Sequence, residues 1–134
     1  MKKVIIQTDG ASRGNPGPAA WGAVFLDEDR SVVSEHYKAI GENTNNYAEY
    51  MAVVEALKQA KVENFTEIIV ESDSQLLVKQ LTGEYRVKAP NLQPLFAECR
   101  QLARDFESCE FVHVRREFNK LADALANRAL DELY

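Results

Sequence analysis

The sequence predicts an α/β fold, a mixed five-stranded sheet with helices on both faces. Three observations predict it. Apolar periodicity changes along the 134 residues in the order β-β-β-α-β-α-α-β-α. Two short runs, Val4-Ile5-Ile6 and Ile68-Ile69-Val70, have the unbroken apolar, β-branched character of strands covered on both faces. A helical stretch separates them, so they are expected side by side and parallel, whereas the first three strands follow one another closely enough for an antiparallel meander.

The first strand is expected over Lys3 to Thr8. Asp9 ends it, and Gly10, Gly14, Pro16 and Gly17 mark a segment that continues neither strand nor helix. Ala20 to Leu26 reads as the second strand, Asp27 to Arg30 as a charged hairpin turn, and Ser31 to Ile40 as the third strand. A helix follows from Asn46 to Ala60, with its stripe at Ala48, Ala52, Val53, Ala56, Leu57 and Ala60. Glu67 to Glu71 is the fourth strand, ended by Ser72-Asp73-Ser74. Ser74 can cap a helix over Gln75 to Thr82, which Gly83 stops. The next helix is expected over Leu92 to Phe106, the fifth strand over Glu110 to Arg115, and the last helix from Asn119, read as its N-cap. That helix should bury Leu121, Ala122, Leu125, Ala126, Ala129, Leu130 and Leu133.

The composition, 46% apolar and 28% charged, is that of an ordinary globular protein, and residues 1–134 are expected to form a single domain. No apolar run approaches the roughly 18 residues that cross a bilayer. Met1-Lys2-Lys3 leads into a strand rather than a signal sequence, so the expected compartment is the cytoplasm and the default state a monomer. Cys99 and Cys109 fit no metal spacing and are expected to be reduced, buried and structural. The net charge of −5 argues mildly against a nucleic-acid partner, but that sum includes any acids that bind metal. Arg86/Lys88, Arg100/Arg104 and Arg115/Arg116/Lys120 are local basic clusters, each also readable as a solvated face.

Four acids stand out. Asp9 and Asp73 each end an apolar strand, and parallel neighbours would set them side by side. Two carboxylates so placed repel, and the fold must gain something for that cost. Glu49 and Asp123 lie in helix first turns on or beside the apolar stripe; taken alone, each reads as compensation of the helix dipole. The chain shows no Ser-His-Asp set, no Walker lysine and no Cys/His cluster. Carboxylates without such companions suit hard cations, Mg²⁺ or Mn²⁺. Two such ions about 3.5–4 Å apart would clamp the attacking and leaving oxygens of a phosphodiester.

Four segments then make the pattern specific: TDGASRGNPGP (Thr8 to Pro18), TNNYAEYMA (Thr44 to Ala52), SDSQ (Ser72 to Gln75) and NKLADALAN (Asn119 to Asn127). In this order and on these elements, the chain resembles a type 1 ribonuclease H over essentially its whole length. The resemblance implies the ribonuclease H-like fold, with the last two strands parallel to the first. It implies that Asp9, Glu49, Asp73 and Asp123 are catalytic carboxylates holding two Mg²⁺ or Mn²⁺ ions. It also implies endonucleolytic hydrolysis of the RNA strand of an RNA/DNA hybrid, leaving 5′-phosphate and 3′-hydroxyl ends. By the same resemblance, the Gly10 backbone, the Glu49 carboxylate and the Gln75 side chain touch the RNA strand, where the 2′-hydroxyl distinguishes RNA from DNA. Asn15, Asn45 and Asn46 would reach the minor groove, and Thr44 a DNA-strand phosphate. Turn chemistry is the alternative reading of these Asn and Thr residues.

The chain departs from the family pattern twice. Many members carry a histidine between the last strand and the last helix; here that loop is Arg115-Arg116-Glu117-Phe118, and His113 and His36 fall within expected strands, as structural residues. Arg115 or Arg116 is expected to serve instead by binding a phosphate. The basic protrusion of some members is also missing, because Gly83 to Asn91 is too short to hold it; Tyr85, Arg86 and Lys88 offer a smaller contact. This resembles the compact members, some of which accept double-stranded RNA. The competing expectation is a weak or silent nucleic-acid-binding domain of the same fold.

Overall fold

The computed structural model describes residues 2–134. Its elements are β1 (Lys3–Ser12), β2 (Gly17–Leu26), β3 (Val32–Asn43), α1 (Asn45–Val62), β4 (Glu67–Ser72), α2 (Gln75–Leu81), α3 (Gln93–Arg104), β5 (Ser108–His113) and α4 (Lys120–Leu133). A single 3-10 turn, Arg116–Phe118, leads into α4. The sheet order is β3-β2-β1-β4-β5. β1, β2 and β3 pair antiparallel, and β4 and β5 continue parallel to β1, as the sequence predicts.

Side-chain alternation sorts the core into two layers. Val4, Ile6, Ile68 and Val70 face α1, α2 and α3, where they meet Val53, Leu57, Leu77 and Cys99. Ile5, Val24 and Leu26 face α4 and meet Leu125. The two central strands are therefore apolar on both sides because both sides are covered. Each large aliphatic residue buried here contributes about 1.5–3 kcal/mol.

Several expected boundaries shift. β1 runs on to Ser12 because β2 keeps pairing with it as far as Ser12↔Ala19, and β2 accordingly starts at Gly17. β3 lies at Val32–Asn43 instead of Ser31 to Ile40. β5 lies at Ser108–His113 instead of Glu110 to Arg115, since its register against β4 pairs Glu67 with Ser108 and Ser72 with His113. α1 begins at Asn45, where the Thr44 hydroxyl accepts from the Tyr47 amide. α3 is shorter than expected, with Leu92 at its cap and Pro94 in its first turn. Leu121 and Leu133 are 46% and 66% exposed, so the buried face of α4 is the narrower Ala122, Leu125, Ala126, Ala129 and Leu130. Both cysteines are free thiols; Cys99 is buried, but Cys109 on the edge strand β5 is only half-buried. No helix among the described residues is long and apolar enough to cross a membrane.

Candidate active site

Two glycines let helices approach β1 closely enough to assemble the four acids. Gly22 of β2 pairs with Asp9. A Cβ at Gly22 would lie 2.6 Å from the Ala122 carbonyl oxygen and 2.7 Å from the Ala126 nitrogen. α4 thus rests directly on the sheet beside Asp9, and its first turn carries Asp123. Gly10 plays the same part on the opposite face. A Cβ there would collide with the backbone of Ala48 and Glu49, so the start of α1 lies against β1 one residue past Asp9. Asp73 follows the last residue of β4, and the parallel pair Thr8↔Ser72 makes Asp9 and Asp73 the next residues on adjacent strands. The turn that holds Asp73 is fixed by Ser74, whose amide donates to Ser72 Oγ (3.1 Å) and whose Oγ accepts from the Leu77 amide (3.2 Å).

All four carboxylates line one open pocket of about 540 Å³, with Gly10, Ser12, Asn45, Ser74, Arg116 and Asn127 among the residues around them. Asp9 is pushed up to about 8, first by burial, then by the neighbouring Asp73, by a side-chain hydrogen bond with Asp123 and by the charges of Asp123 and Glu49. Glu49 is pushed up to about 7 by burial and Asp73, against the opposing effect of its hydrogen bond with Ser74. None of the four acids forms an ion pair with a basic side chain among the described residues.

The donor chemistry fits a hard divalent cation. The acids supply oxygen donors only, and none of them is ion-paired among the described residues, although Arg116 lines the same pocket. No three His, Cys, Asp or Glu side chains among the described residues are already gathered closely enough to hold an ion.

The Asn residues divide by what their side chains do. Asn15 Oδ1 accepts from the Asn45 amide (3.0 Å), and Asn45 Oδ1 accepts from the Ser12 amide (2.7 Å). This clasp joins the β1–β2 loop to the start of α1. Because backbone N–H groups occupy both amide oxygens, each NH₂ group is left as a donor. Asn15 takes a positive φ of 31°, next to Gly14 at 124°, so turn chemistry and presentation coincide at this loop. Asn46 is exposed and lies beside Glu49 and Ser74, and Gln75 is exposed at the first position of α2. The Thr44 oxygen is engaged as the cap of α1.

Arg116 lines the acidic pocket and also an adjoining cavity with Arg115, Lys120 and Asp123. Arg115 lies only in the second cavity and pairs with Glu117 at 3.3 Å. His113 is exposed at the end of β5 and His36 bonds Ser34 on β3; neither lines the pocket. Asn119 is not the side-chain cap that the sequence suggests: its amide donates to the Thr8 carbonyl at 2.9 Å. Sequence reasoning also passed over Asn127. It follows Asp123 by one helical turn, and its side chain donates to the Asp123 carbonyl at 3.0 Å.

Known proteins share this fold and sequence pattern. A profile of the reverse transcriptase-like family matches residues 7–129. The crystal structure of RNase H1 from Halobacterium salinarum superposes with a TM-score of 0.94 at 45% identity, covering 97% of this chain and 98% of that one. The chain belongs to the type 1 ribonuclease H family. LC11-RNase H1, solved in complex with an RNA/DNA hybrid, is 41% identical with a TM-score of 0.92, over 96% of this chain and 97% of its own. The bifunctional protein Rv2228c of Mycobacterium tuberculosis is 45% identical over 130 residues, which is 96% of this chain. The ribonuclease H chain spans 36% of the length of Rv2228c.

Proposed function

We propose that this chain is an endoribonuclease that hydrolyses the RNA strand of RNA/DNA hybrids and leaves 5′-phosphate and 3′-hydroxyl ends. The observation that carries this reading is the convergence of Asp9, Glu49, Asp73 and Asp123, from β1, α1, the exit of β4 and α4, on one pocket in which none of them is ion-paired among the described residues. The membership of the chain in the ribonuclease H family supports it, as does the hybrid-bound state of LC11-RNase H1.

In this reading the four carboxylates hold Mg²⁺ or Mn²⁺, with two ions per site. Bound there, such cations would supply a lowered pKa for an attacking water and charge stabilisation for a departing 3′ oxygen. The chain's own residues orient the substrate. The NH₂ groups of Asn15 and Asn45 are pre-set donors beside the pocket, matched to acceptors in a minor groove. Asn46 extends this edge. The Gly10 backbone, Glu49 and Gln75 take the RNA strand, with the 2′-hydroxyl as the discriminating group. Thr44 keeps its hydroxyl hydrogen for a DNA-strand phosphate while its oxygen caps α1. Arg116, and Arg115 beyond it, bind a phosphate where many relatives present a histidine. This ribonuclease H domain acts as a monomer in the cytoplasm.

The test is cleavage of a hybrid carrying a 5′-labelled RNA strand, with Mg²⁺, Mn²⁺ or EDTA and with double-stranded RNA alongside. Metal-dependent fragments from the hybrid support the proposal, and fragments from double-stranded RNA would widen the substrate class. Binding of the hybrid without cleavage in either metal would make the chain a silent binding domain.

A further inference from the structure

Beneath the acidic pocket, on the α4 side of the sheet, lies a buried polar network that the roles above do not use. Gln7 is 5% exposed and pairs in register with Glu71, which is 8% exposed. The Gln7 amide spends both hydrogens: one goes to Glu71 Oε1 at 3.0 Å and the other to the Phe118 carbonyl at 2.9 Å. Glu71 is held from its other side by Arg30, with Nη2 to Oε1 at 2.6 Å and Nη1 to Oε2 at 3.3 Å. Next to this network, Asn119 donates to the Thr8 carbonyl at 2.9 Å.

These bonds join the three elements that carry Asp9, Asp73 and Asp123. Gln7 lies two residues before Asp9 on β1, and Glu71 two residues before Asp73 on β4. Phe118 and Asn119 immediately precede α4, whose first turn carries Asp123. α4 has no side-chain N-cap to fix its start. Its entry is fixed by β1, through Gln7 and Asn119. The Phe118 ring is 64% exposed and gives this turn little apolar anchorage.

We propose that Gln7 is a positioning residue, braced by Glu71 and Arg30, that sets where α4 presents Asp123 to Asp9. A buried amide between a carboxylate and a carbonyl suits this task. Only a side chain with two hydrogens can satisfy both acceptors, and the charged bond to Glu71 fixes its orientation. Arg30 keeps the Glu71 carboxylate paired, which a buried charge requires. The proposal rests on the metal-site reading of Asp9 and Asp123, and its test separates the two.

The experiment compares the full chain with Gln7→Met, which keeps the length of the side chain and removes both donors. Arg30→Gly is the second variant. Arg30 takes a φ of 64°, which glycine adopts without strain, so relief of the backbone offsets part of the cost of leaving Glu71 unpaired, and this variant loosens the network while keeping Gln7 and its bond to Phe118. Tyr37→Phe is the control, because it cuts only the bond from β3 to Glu132 in the last turn of α4. Amide hydrogen exchange in EDTA should accelerate about tenfold in the Asp123–Ala126 amides of α4, the first of which bonds back to the Asn119 carbonyl, in Gln7→Met, less in Arg30→Gly and not in Tyr37→Phe, while β1 and α1 stay protected. In hybrid cleavage, kcat should fall and half-saturation should move to higher Mg²⁺, with KM for the hybrid unchanged. Unchanged exchange at the Asp123–Ala126 amides, or equal acceleration throughout the chain, overturns the proposal. Wild-type protein that fails to cleave would overturn the nuclease reading and leave the exchange result standing.

Discussion

Replacing Asp9 with Asn should abolish cleavage and yet make the metal-free protein more stable. The Asp9 carboxyl rises from 3.8 to about 8, so the folded site keeps a proton that the unfolded chain releases across that interval. The unfolded state therefore binds fewer protons, and metal-free stability declines as pH climbs from about 4 to about 8, then levels off. At about 1.4 kcal/mol per pH unit, a rigid site would forfeit at most about 5 kcal/mol by pH 8. Water entry and movement of the carboxylates reduce this to about 1–2 kcal/mol, in line with the high effective dielectric of such sites. For a chain of this size that is a rise of roughly 4–8 °C in Tm for Asp9→Asn in EDTA at pH 8, shrinking towards zero near pH 4. Mg²⁺ should raise the Tm of the wild type and do so much less for the variant. Thermal melts at pH 4 and pH 8, with EDTA or Mg²⁺, measure all of this. A variant that is less stable than the wild type in EDTA at pH 8 would refute the reasoning and give Asp9 a structural role.

Three further outcomes are expected. Gly22→Ala places a Cβ 2.6 Å from the Ala122 carbonyl; it should cost about 1–3 kcal/mol in denaturant melts and lower kcat by moving Asp123, and a neutral effect would mean that α4 yields freely. Asn45→Asp keeps the acceptor for the Ser12 amide and replaces the donor with a charge, so hybrid affinity should fall at unchanged Tm; unchanged affinity would remove Asn45 from the substrate edge. Arg116→Ala should weaken hybrid binding and flatten the log–log salt dependence by about one unit, whereas an unchanged slope would show that Arg116 touches no phosphate.

The sheet and its acids are legible in the sequence because their signals are local. Val4 to Ile6 and Ile68 to Val70 are β-branched without polar interruption, and the carboxylates that follow mark the strand exits. The spacing of Glu49 to Ala52 and Val53 sets it on the inward face of α1, but alone it reads as compensation of the helix dipole, and only the TNNYAEYMA segment gives it a site role. What pairs across the sheet is not legible in this way. Gln7 reads locally as a polar break in a strand, and its meaning depends on a register that places Glu71 opposite and on a turn more than a hundred residues away. Asn119 has the composition of a cap, but the Thr8 carbonyl competes for its amide and wins. The extension of β1 from Asp9 to Ser12 is hidden for a similar reason: glycine and serine carry turn signals, and the continued partnership with β2 outweighs them.

The most direct measurement is single-turnover cleavage of a labelled RNA/DNA hybrid in Mg²⁺ by the wild type and by Asp9→Asn, Glu49→Gln, Asp73→Asn and Asp123→Asn, with hybrid binding measured in parallel. The account predicts cleavage by the wild type alone, to products with 5′-phosphate and 3′-hydroxyl ends, and retained hybrid binding in every variant. Wild-type levels of cleavage by any of the four variants, or none by the wild type, would contradict it.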